Sequence, residues 1–205
     1  MLQRIFIFLT LIVILPAIYI YQMFIARQMV HPVLKVLYWA PTFFLLAGLI
    51  YLTFFTPEDF VSQHMRGIGW FAVVLFLFAL PKLNFMLCSV IGLPFNYLLH
   101  WPKTPFVYAG LVLAGINAGV ILYGSLIGKT QFEVKEVAYY SPKLPPAFKG
   151  YRIVQLSDMH IGSWEGNARA LQRMVDLVNA QHPDLIVFTG DLVNNQAKEL
   201  DGFQQ

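Results

Sequence analysis

Long apolar stretches fill the first two thirds of the chain. Residues 5–26 and 36–57 each run 22 positions without a charge, and residues 104–128 run 25. About 20 helical residues cross the roughly 30 Å core of a bilayer, so each of these stretches predicts a spanning helix. A further stretch is interrupted: 67–81 is uncharged over 15 positions, Lys82 follows, and 83–99 is apolar again. Two separate spans there would be short and would leave no residues for a turn. One straight helix would be about 50 Å long at 1.5 Å per residue. The pattern predicts one span bent at Pro81, with its later part near the interface, and a pair of short re-entrant segments as the alternative. Lys82 is expected to snorkel, the alternative being that it lines a polar cavity. The first stretch has no clear small-x-small cleavage site before Arg27, so it reads as a retained span and not as a signal peptide.

After Lys129 the pattern changes. Residues 131–140 mix charge with Phe132, Val134, Val137 and Tyr139, which predicts a strand with a bulge. Ser141-Pro142-Lys143-Leu144-Pro145-Pro146 breaks regular structure, and Gly150 closes the connection. A β-rich run, 151–157, leads into Asp158-Met159-His160-Ile161-Gly162. A helical pattern follows over 167–181, with Ala168, Leu171, Met174, Val175 and Val178 on one face. Asn167 is the expected N-cap, and His182-Pro183 ends the helix. Residues 184–189 then read as a buried strand ending in Gly190-Asp191. A strand–helix–strand crossover makes its two strands parallel, so their carboxyl ends point the same way. Ligands of open α/β sheets bind outside those ends, where Asp158, His160 and Asp191 fall.

Charge sharpens the division. Residues 1–128 carry six Lys/Arg and two Asp/Glu, whereas 129–205 carry eight and nine. The first part is therefore a membrane region whose positive charge belongs to connections, and nucleic acid is not an expected partner. The lipid bilayer is. The expected domains are a transmembrane region of about four helices (1–128), a linker with a first strand (129–150), and a water-soluble α/β portion (151–205). Four spans would put Arg4, Arg66 and Lys129 on one side and Arg27, Lys35 and Lys103 on the other, so the positive-inside count is tied and assigns no side to the soluble part. Tyr19, Tyr21, Tyr38, Trp39, Phe54, Phe55, Trp70, Tyr97 and Trp101 cluster near span ends, as headgroup-layer anchors do. His31, His64 and His100 sit in connections without a second ligand nearby and read as solvated or interfacial. Cys88, the single cysteine, reads as an apolar packing residue. Gly115 and Gly119 form a GxxxG pair, expected to pack helices within the bundle. Oligomeric state is open.

Two carboxylates and an imidazole on one rim suit manganese, iron or zinc. In Asp158-Met159-His160 the alternation of side chains would send both polar groups to the same side. Gly190 would relieve crowding beside a ligand. Each short motif alone is weak; both at the ends of two strands joined by one helix are much more specific.

The run from Tyr151 to Gly162 resembles the first motif of the calcineurin-like metallophosphoesterases, and Leu185-Ile186-Val187-Phe188-Thr189-Gly190-Asp191-Leu192-Val193 resembles their second. Leu144-Pro145-Pro146-Ala147-Phe148-Lys149-Gly150 is similar to the lead-in of membrane-anchored bacterial members, which implies a multi-pass protein of the bacterial cytoplasmic membrane. The resemblance implies a layered β-sandwich with flanking helices, holding two divalent metals that activate water to hydrolyse a phosphomonoester, phosphodiester or pyrophosphate. It implies Asp158 and His160 as ligands of the first metal and Asp191 as a bridge between both. Asn194 stands where relatives often have Asp and is expected to support the ligands without binding metal, while Asn195 has no clear role. The family's later Gly-Asn-His-Asp/Glu and Gly-His-x-His motifs do not follow: 14 residues remain after Asp191, none of them His. The second metal site is thus incomplete here, and the chain is expected to be a partial one with little activity by itself. Its membrane anchor makes a membrane-proximal phosphoester a natural substrate. The rival readings are a non-catalytic membrane protein with a partner-binding soluble stub and a small transporter; Lys82, Asn84 and Asn117 are too few and scattered to support the second.

Overall fold

The computed structural model describes residues 2–26, 28, 31–57, 60–161, 167–193 and 200. Asn194, Asn195 and Gly162 lie outside these, as does Arg27. The chain divides into two compact units, one built from 1–58 and 70–129, the other from 59–69 and 130–205.

Among the described residues, four helices, most of whose length lies in the first unit, are long and apolar enough to cross a membrane: Arg4–Ile25, Pro32–Phe54, Arg66–Leu99 and Thr104–Thr130. Within the first of these, α1 (Leu2–Ile20) passes into a π-helical turn at Tyr21–Ile25, where Ala26 N donates to Tyr21 O at 2.7 Å. Helix α2 (Pro32–Phe54) starts earlier than the charge-free stretch, because His31 caps it and Pro32 is preorganised for its first turn. The His31 ring accepts from Val33 N at 3.3 Å, a capping role that its position in a connection did not reveal. A short helix, α3 (Phe60–Gln63), precedes α4 (Met65–Leu99). Helix α4 runs unbroken for 35 residues through Pro81 and Pro94, so the single-span reading holds and the re-entrant pair does not form. Prolines are tolerated inside membrane helices because neighbouring groups re-satisfy the freed carbonyls. Helix α5 (Thr104–Leu126) completes the set.

Val13, Leu45, Leu49, Leu75 and Ala79 form the buried core of this unit, joining α1, α2 and α4. Close helix approach is made at Gly110, where an added Cβ would lie 3.1 Å from Phe85 Cα. Gly115 and Gly119 do not serve this purpose: a Cβ on either meets nothing within 4 Å. Their GxxxG pair lies beside exposed Val112, Ile116 and Val120, on the face away from Gly110.

In the second unit, β1 (Ile153–Leu156) and β2 (Leu185–Phe188) pair in parallel, with Ile153 opposite Leu185 and Leu156 opposite Phe188. Helix α6 (Ala168–Ala180) joins them, and Asn167 Oδ1 caps it by accepting from Ala170 N at 3.3 Å. Its inward face is Ala170, Leu171, Met174, Leu177 and Val178, with Ala168 and Val175 exposed. Two overlapping stripes satisfy a 3.6-residue period here, and the expected one was turned by part of a turn. Arg152 ties helix to strand: its guanidinium donates to Gln181 O at 3.0 Å, beyond the last turn of α6. Its backbone N–H donates to Asp184 Oδ2 at 2.7 Å. The strand expected in 131–140 is absent. A strand needs a ladder partner, and the sheet of the described residues contains β1 and β2 alone, while Val137 and Tyr140 are 89% and 90% exposed.

Candidate metal centre

The ladder between β1 and β2 continues beyond both strands. Thr189 N donates to Leu156 O at 2.9 Å, Asp158 N to Gly190 O at 3.1 Å, His160 N to Asp191 O at 2.9 Å, and Ile161 N to Leu192 O at 2.8 Å. These bonds hold the two loops side by side, and Ile161, 6% exposed, anchors the first of them. Asp158, His160 and Asp191 are thereby brought together, their ligand-capable atoms all within 4.8 Å of one another.

The backbone arrives at this geometry by a different route from simple alternation. Strand β1 stops at Leu156, and Asp158, His160 and Asp191 all adopt left-handed conformations, with φ of 53°, 44° and 47°. Asp and His tolerate this region better than most residues, though each such placement is a local cost. Among the described residues, three of the five non-glycine positions with positive φ are these candidate ligands. Backbone strain clusters at functional sites, where surrounding structure enforces it. Gly190 has φ of +129°, and a Cβ there would meet nothing within 4 Å. Conformation, and not crowding, therefore requires glycine at that position.

Side chains around the cluster fix it further. Ser157 Oγ donates to Asp158 Oδ2 at 2.5 Å, holding the carboxylate while leaving its other oxygen available. Below the site, Gln155 Nε2 donates to Thr189 Oγ1 at 2.9 Å, linking β1 to the segment that carries Asp191. Ser157 and Thr189 lie inside the two motif runs, but the roles of their side chains emerge only from these contacts. His160 Nδ1 is buried without a hydrogen-bond partner among the described residues. Buried nitrogens without a partner are rare, and a bound ion is one of the ways such an atom is satisfied.

These features fit a divalent cation. Two carboxylates and an imidazole form a hard-to-borderline donor set. At bond lengths of about 2.0–2.2 Å, two ligands of one ion lie no more than roughly 4.4 Å apart. The observed cluster is within a small side-chain adjustment of that limit.

Comparison with known proteins decides the family. Residues 3–129 match the family described as probable calcineurin-like phosphoesterase, transmembrane domain, and residues 151–203 match the calcineurin-like phosphoesterase domain. The chain belongs to the four-transmembrane calcineurin-like phosphoesterase family. The chain is similar to a zebrafish (Danio rerio) transmembrane protein with metallophosphoesterase domain, 38% identical over 85 residues, which are 42% of this chain and 19% of the relative. A metallophosphoesterase of Bacillus subtilis, YkuE, is 34% identical over 87 residues, 42% of this chain and 29% of its own length. A metallophosphoesterase of Campylobacter jejuni is 29% identical over 83 residues, 40% of this chain and 21% of its own. The chain thus spans less than a third of each of these relatives. No solved structure matches it. This phosphoesterase-family chain is a membrane protein that carries part of the catalytic domain behind its four apolar helices.

Proposed function

We propose that the full-length protein is a metal-dependent phosphoesterase that hydrolyses a phosphomonoester, phosphodiester or pyrophosphate at the membrane. The observation that carries this reading is the convergence of Asp158, His160 and Asp191 at the carboxyl ends of β1 and β2. Asp158 and His160 would hold the first divalent ion, and Asp191 would be shared with a second, as in the family the chain resembles. Manganese, iron and zinc all suit the donor set. When bound, such ions polarise phosphoryl oxygen and supply a water nucleophile at neutral pH. The chain's own residues do the positioning. Ser157 keeps one Asp158 oxygen engaged, and the backbone bonds from Asp158, His160 and Ile161 to the Gly190–Leu192 segment fix the separation of the two ligand loops.

The functional division follows as a transmembrane region, 1–128, a linker, 129–150, and a phosphoesterase portion, 151–205. The proposed location is the bacterial cytoplasmic membrane, supported by the Bacillus and Campylobacter relatives. A membrane-proximal phosphoester is the proposed substrate class, since the anchor keeps the site near the bilayer.

The test is hydrolysis of p-nitrophenyl phosphate and bis-p-nitrophenyl phosphate by the full-length protein in detergent. Activity on at least one is expected to vanish on chelation and to return with manganese, iron or zinc. Rates that ignore chelation, or no hydrolysis with any of the three metals, would contradict the proposal.

A further inference from the structure

Beneath the three candidate ligands, β1 and β2 are joined by side chains as well as by backbone. Gln155 is the polar residue in an otherwise apolar strand, Ile153-Val154-Gln155-Leu156. It stands opposite Val187, and its amide reaches two residues further along, past the end of β2. There Nε2 donates to Thr189 Oγ1 at 2.9 Å, and the Thr189 hydroxyl donates in turn to Leu156 O at 3.4 Å. A threonine hydroxyl has one proton and two lone pairs, so it makes both bonds at once. Thr189 N also donates to Leu156 O, at 2.9 Å. Thr189 is thus pinned through main chain and side chain to two consecutive residues of β1.

The chain on either side of these anchors gives them a role. Asp158 lies two residues beyond Leu156, and Asp191 two residues beyond Thr189. Strand β2 ends at Phe188, and Gly190 and Asp191 then take φ of +129° and 47°. Backbone in such regions persists only where its surroundings enforce it. After the bend, His160 N and Ile161 N hold Asp191 O and Leu192 O. Before it, Gly190 has no side chain, so Thr189 supplies the last side-chain anchor. Threonine suits that task because its β-branched χ1 is stiff, and fixing its hydroxyl fixes the direction of the backbone that follows. Both Gln155 and Thr189 are exposed, so burial accounts for neither.

We infer that Gln155 and Thr189 act together as positioning residues: their bridge holds the Gly190–Asp191 bend in register with Asp158, and so sets the affinity of the centre for its metal. The role rests on the metal-dependent function proposed above. Neither side chain belongs to the ligand set. Each acts through the backbone that presents Asp191, as outer partners of metal ligands do.

The test titrates manganese, iron(II) and zinc, against a fluorescent chelator, into the metal-stripped full-length protein in detergent. Thr189→Val keeps the β-branch and removes the hydroxyl; Gln155→Met keeps the length and removes the amide. Each is expected to weaken the metal that wild type binds most tightly by about tenfold. Thr189→Ser is expected to restore affinity, and Gln172→Met, on the far side of α6 from no ligand motif, to leave it unchanged. The double variant Gln155→Met/Thr189→Val is expected to lose the same tenfold and not about a hundredfold, since both changes break one bond. Thermal unfolding of the metal-free proteins is expected to stay close to wild type, which a purely structural role would not predict. Wild-type affinity in Gln155→Met, additive losses in the double variant, or failure of Thr189→Ser to rescue overturns the bridge while leaving the metal centre standing. Binding of none of the three ions by wild type contradicts the metal centre, and this role with it. Should Thr189→Val fail to fold, Gln155→Met decides alone: affinity unchanged there overturns the inference.

Discussion

Asp191→Ala in the full-length protein is expected to lower phosphoester hydrolysis by more than about 100-fold, and Ser157→Ala by about 10- to 100-fold. The ranking follows from what each side chain touches. Asp191 presents a carboxylate within 4.8 Å of the ligand atoms of Asp158 and His160, and in the proposed site it is shared by both metals. Its loss removes a ligand from each. Ser157 contacts no proposed metal; it donates to Asp158 Oδ2 and sets the carboxylate's orientation. Removing such an outer partner weakens binding without abolishing the donor set. Initial rates and bound metal, measured together for the two variants, check the order. Ser157→Ala matching Asp191→Ala, or either variant matching wild type, would contradict it.

Gly110→Val is expected to destabilise the transmembrane unit by about 1–3 kcal/mol, whereas Gly115→Val leaves it close to unchanged. A Cβ at Gly110 meets Phe85 Cα at 3.1 Å, Phe85 O at 3.2 Å and Cys88 Cβ at 3.2 Å. Two of those three atoms are backbone, so no side-chain rotation relieves the overlap, and α4 and α5 must separate. Membrane helices associate largely through close packing, so such a separation is costly. Gly115 has open space at the same test. Thermal unfolding of the full chain in detergent separates the two variants, and equal shifts would contradict this account of α4–α5 packing.

The sequence made the spans legible because charge is so costly in hydrocarbon that 22 to 25 uncharged positions admit few other readings. It also placed the strand–helix–strand unit and the three candidate ligands, since the Asn167 cap, the His182-Pro183 stop and the crossover rule are local or topological facts. What it missed depends on partners. Residues 131–140 have the composition of a strand, yet strand formation is a property of a pair. The GxxxG pair at Gly115 and Gly119 is a real signal of close packing in general, but which face of α5 meets α4 was settled by Gly110. Left-handed backbone at Asp158, His160 and Asp191 was likewise invisible, because it is imposed by hydrogen bonds between two loops some 30 residues apart. Ser157 and Thr189 were hidden for the same reason: their significance lies in whom they touch.

Elemental analysis of the purified full-length protein, wild type against an Asp158→Ala/Asp191→Ala double variant, tests the metal centre most directly. The account predicts bound manganese, iron or zinc in the wild-type protein and its loss from the double variant, with both retaining the same helical circular dichroism. Equal metal content in the two folded proteins would contradict the assignment of Asp158 and Asp191 as ligands.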